Sequence, residues 1–271
     1  MVNNDKLLMR FKKAMLTPTG KRELSSTSDV DAGLGNALLS ALEDIEVTDT
    51  RPWSKPLVEF LSRKKSDQLK FGEFDDVEAF LRAYRAAGAG RRFNPNRPEV
   101  NTNSLPVLNL GRTPGFQLHD NTIVTDEYDA GYITDKDGKA TALLSQTPIE
   151  ISYSLMVLAN EKEVLNALTG IYASWFRQFS NYGNTNFTFQ TMIAGAALQL
   201  NCLIRDPKAV IVDNLTLPLA SNRVFASAIS FTVIAPLYSA WKGTPLSQTI
   251  DVLSGNDSGV MPESGRVTNG R

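Results

Sequence analysis

The chain has 271 residues, and its 28 Lys and Arg residues nearly balance its 29 Asp and Glu residues, so the formal net charge is −1. This balance excludes a generally basic nucleic-acid binder, although it leaves room for a local basic patch. The single cysteine, Cys202, excludes an intrachain disulfide and a cysteine zinc cluster, and the single histidine, His119, excludes a mechanism that needs two imidazoles.

The N-terminal region, residues 1–98, is predicted to be a mixture of helices and loops at the periphery of the fold. Its first residues lack the apolar run of a secretory signal, so we expect the protein to assemble in a cytoplasm. Apolar residues at helical spacing predict short helices at residues 6–16, 37–45, 56–65 and 75–87. The last of these helices carries the most regular apolar stripe.

A cluster of arginines marks the end of this region. Residues 88–98 are rich in Gly, Asn and Pro and predict a loop after the fourth helix. The arginine cluster consists of Arg82, Arg85, Arg91, Arg92 and Arg97. Arginine is favoured at protein interfaces and on nucleic-acid backbones, and in a chain of near-neutral charge we favour contact with protein. The arginine cluster is therefore the candidate interface site.

Residues 99–146 are predicted to be a connection made of loops and one hairpin. The hairpin is predicted over residues 132–144, with its turn at residues 135–138. An acidic run within this connection consists of Asp126, Glu127, Asp129, Asp135 and Asp137. Lysines interrupt this acidic run and no closing Glu follows it, so we expect a solvated hairpin tip and not a calcium loop.

The core domain is predicted over residues 147–253, where charged residues become sparse. Residues 149–159 alternate as a strand with one well-buried face does. Asn160 is the expected N-cap of an amphipathic helix that ends near Phe179. Further strands are predicted at residues 186–191, 196–204, 210–212 and 224–238. The polar residues 254–271 are predicted to be a mobile tail.

This order of elements predicts an α+β fold, in which one main amphipathic helix packs across an antiparallel sheet. One hydrophobic cluster between helix and sheet is expected to contain Tyr153, Leu155, Leu168, Trp175, Phe231 and Val233. We expect no contact with a membrane, because the longest weakly charged stretch, residues 178–201, is rich in Ser, Asn, Thr and Gln.

Neither His119 nor Cys202 lies in a catalytic motif. His119 is followed by Asp120, but no serine or cysteine nucleophile motif accompanies it, which favours a structural or surface histidine. Cys202 falls in an apolar alternating strand without a neighbouring cation pattern, which favours a buried, inert thiol. We therefore expect no enzymatic activity, no cofactor and no bound metal.

Three segments of the core domain carry a family resemblance. They are residues 147–155 (TPIEISYSL), an acid-capped helix that ends in residues 175–179 (WFRQF), and residues 229–233 (ISFTV). In this order they resemble the tail-completion proteins of contractile-tailed bacteriophages, which are the tail terminators and sheath stabilisers of the head-proximal tail end. The resemblance covers residues 147–241, and no part of residues 1–145 contributes to it.

The resemblance implies a structural virion protein of the phage tail, without enzymatic activity. It also implies a homo-oligomeric ring, expected to be a hexamer, that contacts the tail tube, the sheath and the neck. A baseplate component or another neck component is the alternative within the particle. A nucleic-acid-binding accessory protein that uses the arginines of residues 82–97 is an alternative of a different class, and an enzyme with an unrecognised site is a third.

Overall fold

The structure, a computed structural model, describes residues 16–74, 76–88, 105–119, 128–136, 140–182, 187–207, 210–216 and 224–245. Within these residues the helices are α1 (Thr27–Glu43), α2 (Ser54–Leu61), α3 (Lys65–Gln68), α4 (Val77–Gly88) and α5 (Lys162–Tyr182). The strands are β1 (Leu16–Leu24), β2 (Leu69–Phe71), β3 (Val107–Arg112), β4 (Gln117–Leu118), β5 (Tyr128–Thr134), β6 (Ala140–Ala159), β7 (Phe187–Ile193), β8 (Ala196–Arg205), β9 (Ile211–Asn214) and β10 (Phe225–Pro245).

Two long antiparallel strands, β6 and β10, form the centre of the sheet. Their register is continuous from Phe225 opposite Ala159 to Lys242 opposite Ala142. The outer edge of β6 pairs in succession with β3, β4 and β5, and the outer edge of β10 pairs with β9, β8 and β1. β7 extends the sheet beyond β8, and β2 extends it beyond β3. Most of the sheet therefore depends on the pairing of β6 with β10.

The main hydrophobic core lies on one face of this sheet, under α1 and α5. Alternate residues of β6, including Tyr153 and Leu155, point to this face because side chains alternate along a strand. Leu34 and Leu38 of α1 and Leu168 of α5 are fully buried against them. The hydroxyl of Tyr172 on α5 donates to the carbonyl oxygen of Leu38 over 3.2 Å, which joins the two helices.

A second, smaller core lies on the opposite face, at one end of the sheet, under α4. Met156 and Leu158, which alternate with the residues of the main core along β6, pack here against Val77, Phe80 and Leu81 of α4. The ring of Phe80 stacks on that of Tyr84 at a centroid distance of 5.6 Å. Helices thus cover both faces of β6, but α4 covers only one end of its face.

The structure confirms the predicted elements of the core domain. The predicted strands correspond to the end of β6 and to β7, β8, β9 and β10, and the predicted helix corresponds to α5. Five members of the expected cluster are buried together, and Trp175 packs partly buried against them. Asn160 is not the cap that we expected: α5 begins at Lys162, and the Oδ1 atom of Asn160 is buried without a hydrogen-bond partner.

The prediction of an antiparallel sheet with one main helix is wrong in two respects. The sheet is mixed, because β2 pairs parallel to β3. Helix α1 is a second main helix, and its burial in the main core corrects the expectation that residues 1–98 are wholly peripheral. Helix α1 begins ten residues before the predicted 37–45 segment. Gly33 and Gly35 weaken the local helix signal there, and packing on the sheet offsets that weakness.

The remaining predictions outside the core domain have mixed outcomes. The helix predicted at residues 56–65 corresponds to α2 and the first residue of α3. The helix predicted at residues 75–87 corresponds to α4. The hairpin is confirmed, since β5 pairs antiparallel with β6 from Thr134 opposite Ala140. Most of the 6–16 helix, the 88–98 loop after Gly88 and the 254–271 tail lie outside the described residues.

Candidate functional site

The arginine cluster is only partly described by the structure. The guanidinium of Arg82 lies on the exposed surface of α4, where Nη2 is 2.9 Å from the carboxylate of Glu78. Arg85 belongs to α4, but its side chain lies outside the described part, as do Arg91, Arg92 and Arg97 altogether. The geometry of the candidate interface therefore stays a prediction, apart from the ion pair of Arg82.

His119 joins a buried carboxylate that sequence reasoning missed. Its Nδ1 lies 2.6 Å from Oε1 of Glu150, and Nη1 of Arg205 donates to Oε2 of the same carboxylate over 2.5 Å. Glu150 is only 8% exposed, on β6. The hydrogen bond with His119 and the contact with Arg205 lower the pKa of the Glu150 carboxyl, although burial acts in the opposite direction. We name Glu150, His119 and Arg205 the Glu150 cluster.

The Glu150 cluster ties three strands together. His119 directly follows β4, Glu150 lies on β6 and Arg205 ends β8, and the backbone amide of His119 also donates to the carbonyl oxygen of Pro148. Both oxygens of the Glu150 carboxylate are engaged by cationic or hydrogen-bonding side chains, which holds the carboxylate in its charged form. This arrangement supports the predicted structural role of His119, with Glu150 as its partner.

The sheet face around the Glu150 cluster is polar and accessible in the described part of the protein. Register places Ser152 opposite Thr232, Ser154 opposite Ser230 and Glu150 opposite Ile234, so these side chains point to the face that α4 covers only at its far end. Ser152 and Ser230 are exposed, and Thr232 and Ile234 are partly exposed. We name this surface the open face.

An acidic cleft of about 470 Å³ lies where the open face meets α4. Four separate segments build it: the approach to α4, the end of β3, the second half of β6 and the end of β9. Its lining includes Glu73, Phe74, Asp76, Val77, Gly111, Arg112, Thr113, Ser154, Met156, Asn214, Leu215 and Thr216. The guanidinium of Arg112 is 3.2 Å from the carboxylate of Asp31. The charge of Arg112 is thereby balanced within the fold, and the two carboxylates give the cleft a net negative charge.

Strand β9 forms an exposed edge beside this cleft. All four of its residues are exposed, and within the described part β9 pairs only with β10. Ile211 is 59% exposed and Val212 is 46% exposed. Because neighbours along a strand point to opposite faces, β9 presents an apolar side chain on each face.

The thiol of Cys202 is enclosed by the fold. Cys202 is fully buried, and burial raises the pKa of its thiol to about 12, in agreement with an inert thiol. Among the described residues no three His, Cys, Asp or Glu side chains are grouped to hold a metal ion. None of the helices in the described ranges is both long enough and apolar enough to cross a membrane.

No protein-family model matches the chain, and no curated protein matches it. The functional assignment therefore depends on the residues and their geometry.

Proposed function

We propose that the protein is a non-enzymatic structural subunit of a contractile phage tail. In this proposal it forms a ring at the head-proximal end, where it terminates the tube or stabilises the sheath and joins it to the neck. The observation that carries the proposal is strand β9, an exposed edge strand with apolar side chains on both faces.

An exposed edge of this kind favours assembly. Proteins that remain monomeric usually protect such edges with charged residues, proline or a covering element, because an open edge can pair with another chain. Ile211 is 59% exposed and Val212 is 46% exposed, so burying the rest of each side chain against a neighbouring subunit would gain about 1 kcal/mol per residue. A second copy of the chain is the simplest neighbour, since a ring places the same two surfaces at every interface.

The segments that resemble tail-completion proteins form one structural unit, which supports the resemblance. Residues 149–155 and 229–233 lie opposite each other in β6 and β10, with Leu155 opposite Ile229. Phe176, from the third segment, packs on Phe231 with ring centroids 4.7 Å apart. The resemblance thus corresponds to a continuous layer of helix and sheet.

The oligomeric part of the proposal can be tested with a matched pair of valines. Val212 on β9 is 46% exposed and Val58 on α2 is 47% exposed. We expect the wild-type protein to sediment as an oligomer and the Val212→Lys variant to dissociate at the same concentration. The Val58→Lys variant should sediment like the wild type. Equal behaviour of the two variants would contradict a role for β9 in assembly.

The position in the particle needs a separate test. Immunogold labelling of intact phage with antibodies against the protein should place the gold at the head-proximal end of the tail. Label at the distal end would favour the baseplate alternative. Particles without the protein would contradict a role as a virion component.

A further inference from the structure

We propose that the acidic cleft of one subunit binds arginine side chains from residues 89–98 of a second copy of the chain. This inference rests on the proposed ring, and it adds a specific contact between neighbouring subunits. In this contact, the guanidinium group of the arginine lies at the carboxylates of Glu73 and Asp76, and the aliphatic part of its side chain lies in the cleft.

The lining of the acidic cleft fits an arginine side chain. Phe74, Val77, Met156 and Leu215 supply apolar surface, and Glu73 and Asp76 supply carboxylates. An arginine combines a hydrocarbon stem with a planar group that bonds carboxylates through two parallel N–H donors. A lining with apolar walls and acidic groups therefore suits arginine better than it suits an anion or a wholly apolar side chain.

The carboxylates of the cleft have no cationic partner among the described residues. Glu73 and Asp76 are exposed and neither forms a salt bridge there, whereas the buried and half-buried carboxylates nearby are engaged. Asp31 contacts Arg112, and Glu150 contacts both His119 and Arg205. Asp76 accepts one hydrogen bond, from the amide of Ala79 at 2.7 Å, which begins α4. The cleft thus offers two acidic groups to a cation.

Charge complementarity identifies the occupant. Residues 89–98 contain Arg91, Arg92 and Arg97 and no acidic residue. Phe93 follows two of these arginines directly and adds apolar surface to the segment. The chain therefore carries a cationic, partly apolar segment and an acidic, partly apolar cleft, as the two sides of a head-to-tail contact require.

The described residues on either side of this segment are separated from the cleft of their own subunit. Helix α4 starts at the cleft with Val77 and ends at Gly88, about 16 Å away at 1.5 Å per residue. On the return path, β3 starts at Val107, about 13 Å from Gly111 in the cleft at 3.3 Å per residue. Gly88 and Val107, the described residues that flank this part of the chain, therefore lie away from the cleft of their own subunit, and the proposed ring supplies the cleft of a neighbour.

A complementation experiment tests the inference. One variant carries Arg91→Glu and Arg92→Glu, and the other carries Glu73→Lys, which changes an exposed residue of the cleft. Each variant alone should lose assembly, with a dissociation constant raised by about tenfold or more. An equimolar mixture should form a heterodimer in native mass spectrometry, because one intact segment then meets one intact cleft. Glu59→Lys, at an exposed position of α2 outside the cleft, is the matched charge-reversal control and should assemble normally.

The outcomes separate this inference from the proposed function. If both variants assemble like the wild type, the cleft contact is wrong and the proposed ring stands. If both variants are monomeric and their mixture gives no heterodimer, the segment does not bind a neighbour's cleft and the inference is overturned. If the wild-type protein is monomeric at every concentration, the proposed ring fails and this inference fails with it.

Discussion

The contact between α1 and β7 gives a sharp test of the packing. A Cβ atom added at Gly33 of α1 would lie 2.4 Å from Cβ and 3.3 Å from Cα of Phe189 on β7. Real Cβ atoms do not approach other atoms to 2.4 Å, and the blocking atoms belong to the strand itself, so rotation of a side chain cannot relieve the clash. The Gly33→Ala variant must therefore move the helix away from the sheet.

The expected change in the free energy of unfolding follows from two opposing effects. Replacing a helical glycine by alanine favours the helix by about 1 kcal/mol. Forcing an extra methyl group into a well-packed contact costs about 3 kcal/mol when the neighbour cannot yield. We therefore expect Gly33→Ala to lower the free energy of unfolding by about 2 kcal/mol, even though alanine is the better helix former.

Two other glycines serve as controls in urea denaturation followed by circular dichroism. A Cβ atom at Gly35 would meet the ring end of Phe71, which is 56% exposed and can turn aside, so Gly35→Ala should be close to neutral. Gly170 on α5 has no atom within 4 Å of its added Cβ, so Gly170→Ala should stabilise by about 1 kcal/mol. A Gly33→Ala variant as stable as Gly170→Ala would refute the close approach of α1 to β7.

Three further predictions follow from burial and charge. Leu168→Ala should cost about 2–5 kcal/mol of unfolding free energy, because Leu168 is fully buried, whereas Met192→Ala, at a 64% exposed position, should cost less than about 0.5 kcal/mol. The lowered pKa of Glu150 means that its contribution to stability is complete above the ordinary value of 4.5 and is lost as the pH falls through the folded value. Denaturation midpoints measured from pH 7 to pH 3 should therefore fall at the acid end, and less steeply in Glu150→Gln; equal slopes would be the contrary result. Cys202, with a pKa of about 12, should resist a thiol reagent in the native protein and react with it in denaturant.

The sequence predicts best those elements whose apolar residues recur at a regular spacing. Residues of β6 alternate between two cores, and α5 carries a regular apolar stripe, so both elements could be recognised without tertiary information. Helix α1 is different, because Gly33 and Gly35 are poor helix formers that are tolerated where the helix approaches β7 and β2 closely. Strand β1 was missed because residues 17–20 contain Pro and Gly, which indicate a turn, and its pairing with β10 has an irregular register at that point.

The candidate site shows why spatial arrangement escapes sequence reasoning. Glu150 and Arg205 are 55 positions apart and meet only because β6 and β8 both pair with β10 in the same sheet. One local signal was present: Glu150 is a charged residue between Ile149 and Ile151, within an otherwise apolar and hydroxyl-bearing strand. The acidic cleft has no comparable signal, because its lining comes from four distant segments of the chain.

The ring itself is the central claim, and electron cryomicroscopy of the purified protein tests it most directly. The proposed function predicts closed rings, expected to have six subunits, in which β9 and the acidic cleft lie at the interfaces between neighbours. Single, separate subunits at every protein concentration, with β9 facing solvent, would contradict it.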